Sequence, residues 1–305
     1  MDIINEMYVK KIKELKEEKN AIILAHNYQR PEIQDIADFV GDSLGLSIEA
    51  GKTKADVIVF CGVDFMAETA KIINPKKMVL IPEKALCPMA MMLSPEQIRE
   101  VAVKHQSVPV VLYVNTHASC KALADYACTS ANAVKVVDSI KSDTVIFGPD
   151  ANLAEYARRK TKKNIIPIPE YGMCPVHHQI STSDVNRAKN LHENAIIVVH
   201  PETRPEIWEL ADYVGSTEQM IKYCKNSPGK EFIIGTENGI LYRMKKEMPE
   251  KEFYPASDTA ICTNMKMTTL ESVFNSLKYN KFEINLDEEV MNNARKGIER
   301  MLEMV

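Results

Sequence analysis

No stretch of this chain is apolar over the ~20 residues that a bilayer-spanning helix needs; its apolar runs are strand-sized, such as AIIVV at 195–199. The first twenty residues, MDIINEMYVKKIKELKEEKN, lack the apolar core of a signal peptide and read as a charged amphipathic helix. A membrane partner is therefore not expected, and the cytoplasm is the expected compartment. Excess positive charge is missing as well. The formal net charge is −4, so the chain carries no electrostatic footprint for nucleic acid. There is no C-x-x-C pair, the hairpin from which zinc sites usually draw two ligands. The seven cysteines are odd in number and come without an export signal. That disfavours a disulfide framework and favours metal-binding or catalytic thiols.

What the chain does contain is a threefold internal repeat with a shift of 87. His26 falls on Tyr113 and His200, Tyr28 on Asn115 and Glu202, and Ser43 on Ser130 and Thr217. Cys87 falls on Cys174, and Cys262 follows at a shift of 88. RPEIQDIADFVG at 30–41 returns as RPEIWELADYVG at 204–215, with ADYA at 124–127 between them. Ser94, Ser181 and Thr268 each open a helical stretch. Gln97 and Glu271, three residues on, complete capping boxes in the first and third copies, and Asp184 makes a looser variant in the second. Agreement at so many polar positions argues against chance likeness among α/β units. The expected division is an N-terminal helix (1–20), repeats at 21–107, 108–194 and 195–281, and a C-terminal helix (282–305). The last helix, Asp287 to Met304, is expected beside the N-terminal one.

Each copy opens with an apolar run: AIILAH at 21–26, PVVLYV at 109–114, AIIVVH at 195–200. Two helical stretches follow, then a second strand: DVIVFC at 56–61, TVIFG at 144–148, EFIIG at 231–235. A further helix precedes a third: MVLIP at 78–82, NIIPIP at 164–169, EFYPA at 252–256. Strands alternating with helices mean a parallel sheet covered on both faces. The fold class is α/β: three homologous three-layer α/β/α domains around a pseudo-threefold axis. Ligands in such sheets sit beyond the carboxyl ends of the strands, where the repeated polar residues fall.

Cys87, Cys174 and Cys262 align only with one another. Cys61, Cys120 and Cys224 align with apolar residues and read as small core hydrophobes. Cys128 aligns with glycines, beside Ser130, and reads as a steric choice. Three thiolates from distant loops suit zinc with an open position, or three irons of a 4Fe–4S cube with the fourth iron open. Without a C-x-x-C pair the cluster is favoured. The pairs His26/Tyr28, Tyr113/Asn115 and His200/Glu202, spaced i and i+2 along a strand, would face one side. Burying six such groups without a partner is costly, and together they make an acid–base set. Ser43, Ser130 and Thr217 read as helix starts, either ordinary caps or an anion site. Asp38, Asp125 and Asp212 stand near helix C-termini, where acid is unfavourable; turn-stabilising hydrogen bonds are the expectation.

HNYQ at 26–29, GDSLGLS at 41–47, YVNT at 113–116, PEYGMCPVHH at 169–178, HPE at 200–202 and the late Cys262 together resemble the quinolinate synthase family. The resemblance covers nearly the whole chain. It implies a condensing, dehydrating transferase of NAD biosynthesis that joins iminosuccinate to dihydroxyacetone phosphate. It implies a 4Fe–4S cluster on Cys87, Cys174 and Cys262 with one open iron. Contacts to iminosuccinate would come from His26, Ser43, Tyr113, Val114, Asn115, Ser130, His200, Pro201, Glu202 and Thr217. Tyr28 and Glu202 would move protons, and His177 matches a further site histidine. A transient contact with the enzyme that makes iminosuccinate, an aspartate oxidase or dehydrogenase, is also implied. Two rivals are a diphthamide-synthesis-type radical enzyme using S-adenosylmethionine and a non-enzymatic iron–sulfur sensor. Neither accounts for both the small-anion residues and the acid–base set.

Overall fold

A computed structural model describes residues 3–304 and contains three four-stranded parallel sheets of one design. The first sheet holds β1 (Ala21–His26), β2 (Phe39–Gly41), β3 (Val57–Cys61) and β4 (Met78–Leu80) in the order β2-β1-β3-β4. The second holds β5 (Val110–Tyr113), β6 (Tyr126–Cys128), β7 (Thr144–Gly148) and β8 (Asn164–Pro167), ordered β6-β5-β7-β8. The third holds β9 (Ile196–Val199), β10 (Tyr213–Val214), β11 (Glu231–Gly235) and β12 (Glu252–Pro255), ordered β10-β9-β11-β12. The central strands are near-continuous apolar runs because helices cover both faces. β3 is buried at all five residues, and each large side chain there contributes about 1.5–3 kcal/mol of burial.

The edge strands β2, β6 and β10 are absent from the sequence reading, which saw only helix and turn there. With two or three residues each, they are too short to show a period. The repeated aspartates attach them. The Asp38 N–H donates to the carbonyl of Ile23 at 2.9 Å, while Asp38 Oδ2 accepts from the Ile23 N–H at 2.7 Å. Asp125 does the same with Val110 (2.9 and 2.8 Å), and Asp212 with Ile197 (2.9 and 2.8 Å). Each carboxylate thus stands in for a ladder carbonyl where the edge strand begins. The acid answers to a strand N–H, not to the helix end before it.

Helices cross between units. Pro95–Lys104, after the first cysteine loop, places Ile98 with Val110 and Leu112 of the second sheet. Thr182–Leu191 places Val185 and Ala188 with Ile197 and Val199 of the third. Leu270–Tyr279 places Val273 and Leu277 with Ile23 and Val59 of the first, closing the ring. The first two are capped as boxes by Ser94 with Gln97 and by Ser181 with Asp184, so the second box is complete rather than loose. In the third, Thr269 with Ser272 makes the cap, not Thr268 with Glu271. The extra residue in that loop moves the helix start on by one.

The C-terminal helix Glu288–Glu303 does not lie on the N-terminal helix as expected. It buries Met291, Ala294, Ile298 and Met301 against β6, Ala118–Lys121 and Asp64–Ile73. The N-terminal helix Ile3–Glu18 packs on Leu270–Tyr279, with Tyr8 against Phe274 at 5.6 Å.

Candidate active site

One cavity of about 290 Å³ is lined by all three units at the carboxyl ends of their strands. Every residue named from the sequence as a candidate metal ligand, substrate contact or proton mover lines it except Val114 and Pro201. Val114 is buried in the main core, and Pro201 is buried beside His200. Cys87, Cys174 and Cys262 are free, half-buried thiols on the cavity, while Cys61, Cys120, Cys128 and Cys224 are free and buried. Burial pushes the Cys87 thiol up to about 12 and raises Cys174 and Cys262 as well. These thiols are therefore protonated at neutral pH, and any metal that took them as ligands would have to displace their hydrogens.

The strand-end pairs face the cavity, but their second members do so from turns rather than strands. β1 ends at His26, β5 at Tyr113 and β9 before His200, so the second member of each pair lies beyond its strand. In two units the turn also fixes the imidazole. Nδ1 of His26 accepts from the Tyr28 N–H at 3.2 Å, and Nδ1 of His200 accepts from the Glu202 N–H at 3.2 Å. The hydrogen of each neutral ring is therefore assigned to Nε2. Burial holds both histidines down to about 3, so they are neutral donors at working pH. His200 Nε2 meets Ser130 Oγ at 3.1 Å.

Ser43 and Thr217 do sit at helix starts, but neither is the cap. Asp42 Oδ1 caps Ser43–Lys52 through the Gly45 N–H at 2.8 Å, and Ser216 caps Thr217–Asn226 in a box with Gln219. The hydroxyls of Ser43 and Thr217, at the first helical position, are thereby left to the cavity. Ser130 does not open a helix: Ala133–Ser139 begins later, after Asn132, and Ser130 stands in the turn where Asn132 Oδ1 accepts from the Thr129 N–H. Asn115 Oδ1 is buried and has no hydrogen-bond partner. An orphaned acceptor on a polar cavity marks a place for a ligand or water.

The acid–base groups form one connected set. Tyr113 donates to Glu202 Oε1. His177 Nδ1 lies 2.8 Å from Glu202 Oε2 but off the direction of a hydrogen bond, so the two are in close contact without a directed bond. His177 Nε2 meets Thr236 Oγ1 at 2.8 Å, and the Tyr28 hydroxyl meets the same oxygen at 2.6 Å. Burial works to raise Glu202, but the neighbouring His177 and His200 imidazoles and the bond from Tyr113 outweigh it and keep the carboxylate ionised. Burial, then the charge of Glu202, raises the Tyr28 and Tyr113 phenols well above their ordinary value. Thr236 escaped the sequence reading because its repeat equivalents are Gly62 and Pro149, which carry no hydroxyl. Asp42 and Glu237, also on the cavity, were likewise missed.

Residues 10–303 match the family described as Quinolinate synthetase A protein. A quinolinate synthase of Pyrococcus horikoshii is 54% identical over 305 residues, covering 100% of this chain and 99% of that protein. One of Methanoregula boonei is 54% identical over 289 residues (94% and 95% covered), and one of Thermodesulfovibrio yellowstonii is 51% identical over 298 (97% and 98%). No helix among the described residues is long and apolar enough to cross a membrane. With a family match across almost its full length and relatives of this identity, the chain belongs to the quinolinate synthetase A family.

Proposed function

We propose that the chain is a quinolinate synthase of NAD biosynthesis, condensing iminosuccinate with dihydroxyacetone phosphate to quinolinate, phosphate and water. The observation that carries this reading is the meeting of three free thiols, one per unit, with an acid–base set in a single cavity. Three soft sulfur donors on separate loops suit a 4Fe–4S cluster better than a single zinc ion. Cys87, Cys174 and Cys262 would hold it, and an iron without a protein ligand would supply Lewis acidity to a substrate oxygen.

The chain's own residues bind and move protons. The substrates bring two carboxylates and a phosphate. The Ser43, Ser130 and Thr217 hydroxyls and the Nε2–H donors of His26 and His200 offer an anion site without a buried cation. Ionised Glu202 is the base suited to take a proton from carbon during the ketose–aldose isomerisation. Tyr28, held protonated, is the acid suited to a departing hydroxyl. A proton taken by Glu202 has a route back to Tyr28 through His177 and Thr236 once the imidazole turns onto the carboxylate.

One other arrangement has an observation behind it. The ligand atoms of Cys174, His177 and Glu202 lie within 4.8 Å of one another, close enough for a single divalent ion. It would leave Cys87 and Cys262 without a task. The test is anaerobic turnover of the iron-loaded protein with both substrates, following quinolinate. Product formation supports the reading. Iron-loaded protein that forms no quinolinate, or a protein active with one metal ion and no sulfide, overturns it.

A further inference from the structure

Each cysteine loop is tied to its own unit by the same two-point latch. The Cys87 N–H donates to Asp64 Oδ1, the Cys174 N–H to Asp150 Oδ2 and the Cys262 N–H to Glu237 Oε1, each at 3.1 Å. A second bond runs the other way, to the carbonyl two residues before each cysteine. The N–H of Asp64 donates to Ala85 O at 2.9 Å, that of Ala151 to Gly172 O at 2.8 Å and that of Asn238 to Ala260 O at 2.9 Å. The acids follow the central strands β3, β7 and β11, each buried at four or five of its five residues.

Each acid is braced from behind. Asp64 Oδ2 lies 3.4 Å from His117 Nδ1, Asp150 Oδ1 accepts from the Leu153 N–H at 2.7 Å, and Glu237 Oε2 accepts from the Gly239 N–H at 2.7 Å. Glu237 Oε1 also lies 2.9 Å from Lys266 Nζ. Asp150 and Glu237 are fully buried. Burying a carboxyl is costly unless its bonds repay it. Three carboxyl groups at nearly equivalent places, two of them fully buried and each giving one oxygen to a cysteine N–H, are more than helix caps.

We propose that Asp64, Asp150 and Glu237 are positioning residues that fix the three cysteine loops so that their sulfurs converge before any metal arrives. They act through the backbone of the residues that would hold the cluster. Three thiols on loops from three separate units need this more than ligands on one hairpin do, because each sulfur is placed by its own unit. The inference rests on the cluster reading above.

The test is iron release from the anaerobically loaded full chain to a chelator, with the cluster's absorption and magnetic spectra recorded alongside. Asp64→Ala, Asp150→Ala and Glu237→Ala should each release iron roughly 10-fold faster or more, the usual worth of a group behind a metal ligand. Asp64→Asn, Asp150→Asn and Glu237→Gln keep an oxygen for the cysteine N–H and should hold iron nearly as wild type does, with an unaltered spectrum. Asp150→Glu and Glu237→Asp keep the charge but move the acceptor by one methylene. They should release iron faster, and they serve where an alanine variant does not fold. A wild-type release rate in the alanine and the length-changed variants overturns the inference while leaving the cluster reading in place. A wild-type chain that takes up no iron and sulfide overturns both.

Discussion

The side-chain amide of Asn27, in the turn after the first strand, donates to the hydroxyl oxygen of Thr217 in the third unit at 2.8 Å. Arg243 Nη1 donates to Asn27 Oδ1 at 2.7 Å and is held in turn by Glu218 and Glu247. The guanidinium fixes which end of the amide faces Thr217. Thr217 therefore accepts from Asn27, and its own hydrogen is free to point at an anion in the cavity.

Reversing that polarity should weaken substrate binding. Asn27→Asp keeps the bond from Arg243, but its carboxylate would take the Thr217 hydrogen for itself. A hydrogen bond to a charged ligand is worth about 1.5–3 kcal/mol. KM for iminosuccinate should rise roughly 10-fold or more, with kcat changed much less. An unchanged KM would show that Thr217 does not donate to the substrate.

Tyr28→Phe and Glu202→Gln remove one hydroxyl and one charge at nearly constant volume. Neither residue is among the thiols, so iron content should stay at the wild-type level. Turnover should fall by roughly 10²-fold or more, the usual worth of a positioned acid or base. Near-normal turnover in both variants would take the pair out of the mechanism.

His26 and His200 make stability depend on pH. Their folded pKa is held down to about 3 by burial, against ~6.5 in the unfolded chain. Between those values the unfolded chain binds more protons, so stability is lost as pH falls below ~6.5. Each histidine contributes a slope of about 1.4 kcal/mol per pH unit in that window. His26→Gln should flatten the fall of Tm between pH 6 and 4, on the order of one proton's worth. An identical slope in wild type and variant would mean that the imidazole is not buried neutral.

The sequence carried the central strands and the cavity because both depend on repeated side chains. AIILAH, DVIVFC and MVLIP are apolar enough to declare buried strands, and a residue such as Ser43 is marked by its two copies. What escaped depends on contacts without a repeated pattern. The edge strands β2, β6 and β10 exist through Asp38, Asp125 and Asp212, whose bonds to a strand N–H have no periodicity. Thr236 serves one unit alone. Asp64, Asp150 and Glu237 did leave a trace, an acid two or three residues past each central strand, but Asp64 is out of register with the other two by one position. The seat of the C-terminal helix was set by tertiary packing on β6, which its own amphipathic pattern does not specify.

Iron and sulfide content, measured with quinolinate formation in a full cysteine series, tests the central claim most directly. Cys87→Ala, Cys174→Ala and Cys262→Ala should each lose the cluster and the activity together. Cys61→Ala, Cys120→Ala, Cys128→Ala and Cys224→Ala remove small core side chains; they should keep iron, sulfide and turnover, at a stability cost of roughly 0.5–3 kcal/mol. About four irons and four sulfides per wild-type chain, lost only with the three cavity cysteines, is the predicted result. Loss of iron on changing Cys224 alone, or full turnover without Cys262, would contradict a cluster held by one thiol from each unit.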